Sequence, residues 1–187
     1  MDRIVRDDIS KYFDHNINIP QKTIYIGGEV DHGMAERALK GLQILDAKAR
    51  KKRLLIIMNN IGGDEYHGLA IYDAIKSCKS PTTIKVYGHA MSMGAWILQA
   101  AEKRLLSTNS TVMMHYGDLS YTGHNHDFLR NADETKRLNT LMEDHLLERI
   151  KERHPRYTRE TLQELIRFDK YLAAKEAVEL GLADKVI

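Results

Sequence analysis

The sequence is poor in the features that mark several classes of protein. Its 187 residues include one cysteine, Cys78, which rules out a disulfide within the chain and favours a reducing compartment. No segment approaches the roughly 20 apolar residues that a membrane-spanning helix needs. The net charge is only +2, so the charge balance indicates neither nucleic acid nor an anionic membrane as a partner. Because the charged first residues are unlike a signal peptide, we expect a cytoplasmic protein.

Proline is also scarce, and repeats and low-complexity tracts are absent from the sequence. Only Pro20, Pro81 and Pro155 interrupt the chain. The length suits one domain with its own core, which we assign to residues 1–187. Within it, residues 1–22 form a polar N-terminal arm, expected to be a short helix or loose segment. Residues from about 118 to 155 form a second distinct region, described below.

Apolar runs and amphipathic segments alternate along the chain. β-prone runs lie at residues 23–26, 54–58, 83–87 and 112–114, and helical patterns lie at residues 34–49, 64–78 and 93–98. This order predicts an α/β fold with a parallel sheet. The run at 54–58 is continuous, so we expect that strand to be buried on both faces. We expect Gly62-Gly63 to end it, and Gly88 to turn the next strand into a helix.

One predicted helix is long for a domain of this size. It covers residues 127–153, with an apolar stripe of Leu138, Met142, Leu146 and Ile150 among charged residues. We predict that this helix projects and that its stripe packs on another subunit. Thr158 is expected to cap a short helix that follows, and Gly181 to end a final helix over residues 173–180.

Four polar or glycine-containing positions could carry chemistry. Ser92 lies in a turn rich in small residues, where its hydroxyl would be exposed. Gly62-Gly63 could present a backbone N–H to an oxyanion, or could be a tight turn without a chemical role. His115 follows a buried strand, and Asp169 lies between aromatic residues. Each position alone is as compatible with a structural role as with catalysis.

Taken together, five separated segments resemble the proteolytic subunit of the Clp protease (ClpP) family. They are TIYIGGEV at residues 23–30, NNIGG at 59–63, GHAMSMGA at 88–95, MMH at 113–115 and FDKYLAAKEAVELGLAD at 168–184. The third, fourth and fifth are similar to that family's serine, histidine and aspartate motifs. The resemblance therefore runs from about residue 23 to the end, in the family's order.

The resemblance implies a serine endopeptidase with a ClpP/crotonase-like fold of stacked ββα units and a projecting helical handle. Ser92 would be the nucleophile, His115 the general base and Asp169 the residue that orients the imidazole. Gly63 and Met93 would supply the oxyanion N–H groups. No cofactor or metal is expected. The partners implied are further copies in two stacked heptameric rings, an ATP-driven AAA+ unfoldase of the Clp type and unfolded polypeptide substrates.

The chain also departs from the family pattern. The family has Ser-Pro where this chain has Asn60-Ile61, so the turn before Gly62 lacks proline's fixed φ. Tyr116-Gly117 replaces Gln-Pro, and Ala173 replaces a capping Ser or Thr. None of these changes removes a residue of the expected triad. They indicate a divergent member of the family. We expect partner recognition and the gating of substrate entry to differ from the family pattern more than the catalytic chemistry does.

Several other residues allow alternative interpretations. Cys78 as a nucleophile is less favoured than Cys78 as a packed helix residue. His124, His126 and Asp127 lack the further ligands that a zinc site needs. His89 is expected to line a surface or pocket, and the basic run at residues 48–53 to be a solvated helix end. Two alternative functions stay open: an acyl-CoA enzyme of the crotonase fold, and an inactive ring subunit.

Overall fold

The structure is a computed structural model that describes residues 10, 12, 14–49, 52–118, 120 and 122–187. Half of the predicted N-terminal arm, and Arg50 and Lys51 of the basic run, lie outside the described residues. The strands are β1 (Ile17–Asn18), β2 (Thr23–Val30), β3 (Leu54–Gly63), β4 (Thr82–Met91), β5 (Lys103–Leu106), β6 (Thr111–Met114), β7 (Lys170–Ala173) and β8 (Lys185–Val186). The helices are α1 (His32–Ala49), α2 (Glu65–Lys76), α3 (Met93–Leu98), α4 (Asn125–Arg153), α5 (Arg159–Leu165) and α6 (Ala174–Leu180).

The α/β fold expected from the sequence is confirmed. The described strands form one sheet in the order β1-β2-β3-β4-β5-β8, from which β6 branches by pairing with β4, and β7 pairs with β6. The pairs β2–β3, β3–β4 and β4–β5 are parallel. α1 buries the apolar face predicted for it, including Ala35, Ala38 and Leu42. Among the described helices, none is both long and apolar enough to cross a bilayer.

Besides β3, strand β4 has two further partners along its length. Its first part pairs with β5, and its last residues pair with β6, from His89 opposite Thr111 to Met91 opposite Met113. Gly88 lies between the two parts with φ of 86°, and a Cβ there would lie 2.5 Å from the Asn59 side-chain oxygen. The branch at Gly88 therefore brings β6 beside the end of β4.

The expected ends of two strands are wrong. β3 continues through Gly62 and Gly63, which pair with Glu29 and Val30 of β2 instead of breaking the strand. β4 continues past Gly88 to Met91. The prediction of two buried faces for β3 is also only half right, because its buried and partly buried residues alternate from Leu54 onwards. Pairing with neighbouring strands overrides the local tendency of glycine to end a strand.

The long helix is present, but its stripe does not lie where we expected. Leu138, Leu146 and Ile150 are only 3%, 1% and 0% exposed within the single chain, and Met142 is partly buried against its core. The stripe is therefore no surface for another subunit. None of residues 125–137 is buried, and this first half of α4 carries the exposed Phe128 and Leu129. Thr158 and Gly181 act as the caps predicted for α5 and α6.

Candidate active site

Three strand ends meet at one edge of the β4–β6–β7 branch. Ser92 directly follows β4, and His115 directly follows β6. β4 and β6 run parallel with Met91 opposite Met113, so these two ends lie side by side. β7 runs antiparallel to β6 with Lys170 opposite Met114, which places Asp169 next to His115. The topology thus gathers residues that are far apart in the sequence.

The side chains of these three residues form a hydrogen-bonded chain. The Ser92 Oγ lies 2.9 Å from the His115 Nε2, and the His115 Nδ1 lies 3.0 Å from the Asp169 Oδ1. An ionised carboxylate only accepts, so Nδ1 carries the imidazole proton when the ring is neutral. Nε2 then has a free lone pair toward the serine hydroxyl, which donates. This is the arrangement that a general base needs.

The backbone holds Ser92 in an uncommon conformation. Its φ of 50° and ψ of −121° lie outside the regions that a non-glycine residue ordinarily adopts. Its N–H donates to the Met113 carbonyl at 2.9 Å, and its carbonyl accepts from Ala95 and Trp96. A strained residue persists only when its surroundings fix it, and such residues concentrate at functional sites.

The end of β3 lies against the serine, at the point where its register with β2 shifts between Asn60 and Gly62; we call this end the glycine turn. Gly62 has φ of 95°, and a Cβ added to it would lie 2.7 Å from the Ser92 Cβ. Only glycine fits this approach. The buried Asn60 side chain accepts a hydrogen bond from the Gly62 N–H at 2.9 Å. In the sequence, Asn60 stands out only because it differs from the family pattern. A side chain that accepts a hydrogen bond from a backbone N–H two residues later is, however, a known way to stabilise a turn.

A cleft of about 440 Å³ opens beside the serine. Gly63 and Met93, the predicted oxyanion donors, line it together with Ser92 and His115. Met93 is the first residue of α3, directly after the serine. Sequence reasoning missed the cleft's other walls, which come from the start of α2, the segment after β6 and the middle of α4. They are Asp64, Glu65, Tyr66, Trp96, Tyr116, Gly117, Asp118, Thr135, Asn139 and Met142.

A buried glutamate supports one wall of the cleft. Glu143 of α4 is 5% exposed and accepts hydrogen bonds from the Tyr116 hydroxyl at 2.7 Å and the Arg159 guanidinium at 2.6 Å. Burial, together with this bond to Glu143, raises the pKa of Tyr116 well above its usual range, so the phenol keeps its proton. The network ties the segment after His115 to α4 and α5.

Other candidates from the sequence lie elsewhere. His89 is within β4 opposite Thr111 and is not among the residues that line the cleft. Cys78 lies just beyond α2, partly buried against the core. Burial raises the pKa of its thiol to about 11, so it is protonated and unreactive near neutral pH. The described residues contain no cluster of three or more His, Cys, Asp or Glu side chains suited to a metal ion.

Comparison with known proteins identifies the family. The family model of the Clp protease matches residues 10–187. The chain belongs to the Clp protease family. It is also similar to the ATP-dependent Clp protease proteolytic subunit of Deinococcus radiodurans, with 31% identity over 171 residues, which cover 90% of this chain and 81% of that protein. Clp proteases are serine-type peptidases, so membership supports a role in proteolysis. The recognition made from the five segments is confirmed.

Proposed function

We propose that this chain, as a single peptidase domain, is a serine endopeptidase that hydrolyses unfolded polypeptides through an acyl-enzyme. The observation that carries the proposal is the hydrogen-bonded chain from Ser92 through His115 to Asp169. Its order and tautomer match what nucleophilic catalysis by serine requires. Membership of the Clp protease family favours this function over that of an acyl-CoA enzyme.

In the first half-reaction, the Ser92 Oγ attacks the scissile carbonyl carbon while His115 Nε2 takes the hydroxyl proton. The carbonyl oxygen gains negative charge as its π bond opens. The backbone N–H groups of Gly63 and Met93 would donate to it. The imidazolium that forms is stabilised by the Asp169 carboxylate. It returns the proton to the leaving amine nitrogen as the C–N bond breaks, which leaves an ester on Ser92.

In the second half-reaction, water replaces the amine. His115 Nε2 takes a proton from the water, whose oxygen attacks the ester carbonyl through the same oxyanion site. The C–O bond to Ser92 then breaks, and His115 returns the proton to the Ser92 Oγ. The side chains of this chain thus complete the reaction without a cofactor or metal.

We propose further that the sites face the chamber of a barrel made of two stacked heptameric rings in the cytoplasm. The relative's name contains both "ATP-dependent" and "subunit", which supports an assembly that works with an ATP-consuming partner. A Clp-type AAA+ unfoldase would then deliver unfolded chains. The unburied first half of α4, with its exposed Leu129, is a surface on which a second copy could pack.

Labelling with a fluorophosphonate tests the chemistry. We expect a single adduct on the intact chain, located on Ser92 by peptide mapping, and cleavage of an unfolded protein such as casein. Ser92→Ala should lose both, and Ser107→Ala, a serine remote from the cleft, should keep both. An unlabelled, inactive wild-type protein that still assembles would favour the inactive ring subunit.

A further inference from the structure

The side chains that line the cleft carry charge of one sign. Asp64, Glu65 and Asp118 line it, and within the described part of the chain no lysine or arginine does. Among the described lining residues, the tyrosines and His115 of the site are the other ionisable groups. A substrate side chain that enters the cleft therefore meets a negative field.

Glu65 is distinct among these acids. Asp64 accepts a hydrogen bond from the His67 N–H as the cap of α2, and nearby Glu134 is paired with Arg137. Glu65 is partly buried, yet its carboxylate makes no hydrogen bond or ion pair with any described residue. Burial and the adjacent Asp64 and Glu134 charges raise its pKa. A carboxylate in this position is stabilised by a cation that enters the cleft.

The rest of the cleft fits the stem of a long basic side chain. Met93, Trp96 and Met142 form its apolar part beside Ser92. Lysine and arginine bury their methylene stems on apolar surface and direct the charged end to a polar partner. A short acidic or purely aliphatic side chain would leave Glu65 without a partner in the complex.

We propose that the cleft selects a lysine or arginine at the residue that supplies the scissile carbonyl, with Glu65 as its counter-charge. The inference rests on the proposed peptidase function, because it assigns that position to the cleft beside Ser92. Glu65 is then a specificity-determining residue: it contacts the substrate side chain and takes no part in proton transfer.

The test uses two fluorogenic peptides that differ only at this residue, which is arginine in one and the neutral isostere citrulline in the other. We expect kcat/KM for the arginine peptide to be roughly tenfold higher or more, as for one charge-assisted hydrogen bond. Glu65→Gln should bring the ratio near one, since the counter-charge that distinguishes arginine from citrulline is removed. Glu164→Gln, a change at an exposed glutamate of α5, should leave the ratio unchanged.

Binding measured without cleavage separates this inference from the proposed function. Both peptides, carrying a fluorophore, are titrated by anisotropy into the assembled Ser92→Ala protein, with and without Glu65→Gln. An arginine preference that depends on Glu65 supports the inference, even if the wild-type protein cleaves neither peptide and the proposed function fails. Equal binding and equal cleavage of the two peptides, or a preference that survives Glu65→Gln, overturns the inference and leaves Ser92-dependent cleavage untouched.

Discussion

At the scale of single residues, Asn60 takes over a task that the family gives to a proline. It is fully buried at the point where β3 approaches Ser92, and its side-chain oxygen accepts from the Gly62 N–H. A Cβ added to Gly94 would lie 2.6 Å from the Asn60 Oδ1, so the Asn60 side chain also packs closely against Gly94. A directed hydrogen bond therefore fixes the turn that a rigid φ would otherwise fix. Asn60 is a positioning residue, because it acts through the glycine turn.

Asn60→Ala tests this role. We expect kcat to fall about tenfold or more while KM changes little, because the glycine turn would stabilise the oxyanion only in the transition state. The free energy of unfolding should fall by about 1–3 kcal/mol, since the buried Gly62 N–H loses its acceptor. Steady-state kinetics and urea unfolding measure the two effects. Asn60→Ser with Ile61→Pro, the family's own pair, is the matched control and should restore kcat.

A loss of stability without a change in kcat would mean that the Gly62 turn keeps its geometry without Asn60. A rise in KM alone would instead place Asn60 in substrate binding. Both outcomes are distinct from the expected loss of kcat and would contradict a positioning role for this side chain.

At the scale of helices and strands, a histidine joins the base of the handle to the domain. His145 of α4 accepts at Nδ1 from the Trp96 indole N–H at 2.7 Å, and its ring stacks on Tyr72 with centroids 4.4 Å apart. Burial lowers the pKa of His145, although the Glu148 and Asp73 carboxylates act in the opposite direction. The contact thus requires the neutral ring, because a protonated Nδ1 cannot accept.

This contact gives stability a defined pH dependence. The folded pKa lies below the unfolded value of ~6.5, so the unfolded chain binds the proton more tightly. The contribution of His145 is complete above that value and is lost as the pH falls toward the folded pKa. Thermal unfolding should therefore show Tm falling from pH 7 to pH 5. His145→Gln should flatten part of this fall, and His126→Gln, at an exposed position, should not.

Identical pH profiles for the wild-type protein and His145→Gln would show that other groups cause the acid loss. A steeper profile in the variant would mean that the ring is protonated in the folded protein.

Helices and strands differ from the contacts between them in how far a sequence can predict them. The helices and parallel strands follow from local periodicity, and the residues proposed to act together could be named from motifs. That His115 meets Asp169, however, depends on the β6–β7 register between segments 54 positions apart. The role of Asn60 and the walls of the cleft depend on contacts across elements in the same way. Likewise, periodicity predicted the apolar stripe of α4, but it could not show that the stripe is buried within the same chain and not against another subunit.

At the scale of the whole molecule, the burial of that stripe changes the argument for assembly. Charged substitutions at Leu146 would now disrupt the core of the single chain, since this side chain is 1% exposed. A surface available to a second copy is the first half of α4, where Leu129 is 53% exposed. Two such helices packed with two-fold symmetry would cover each other's apolar residues and join two rings.

The handle of α4 therefore supplies the test of the barrel. Fourteen chains of 21.5 kDa give a particle of about 300 kDa, which light scattering should detect for the wild-type protein. Leu129→Asp should yield single rings or smaller species that digest casein poorly, because an apolar contact is replaced by two desolvated charges. The fold of each chain should be kept, with an unchanged far-UV circular dichroism spectrum, since Leu129 is exposed in the single chain. Leu129→Met, which conserves apolar volume, should assemble normally. A monodisperse wild-type monomer of 21.5 kDa that digests casein would refute both the barrel and the chamber.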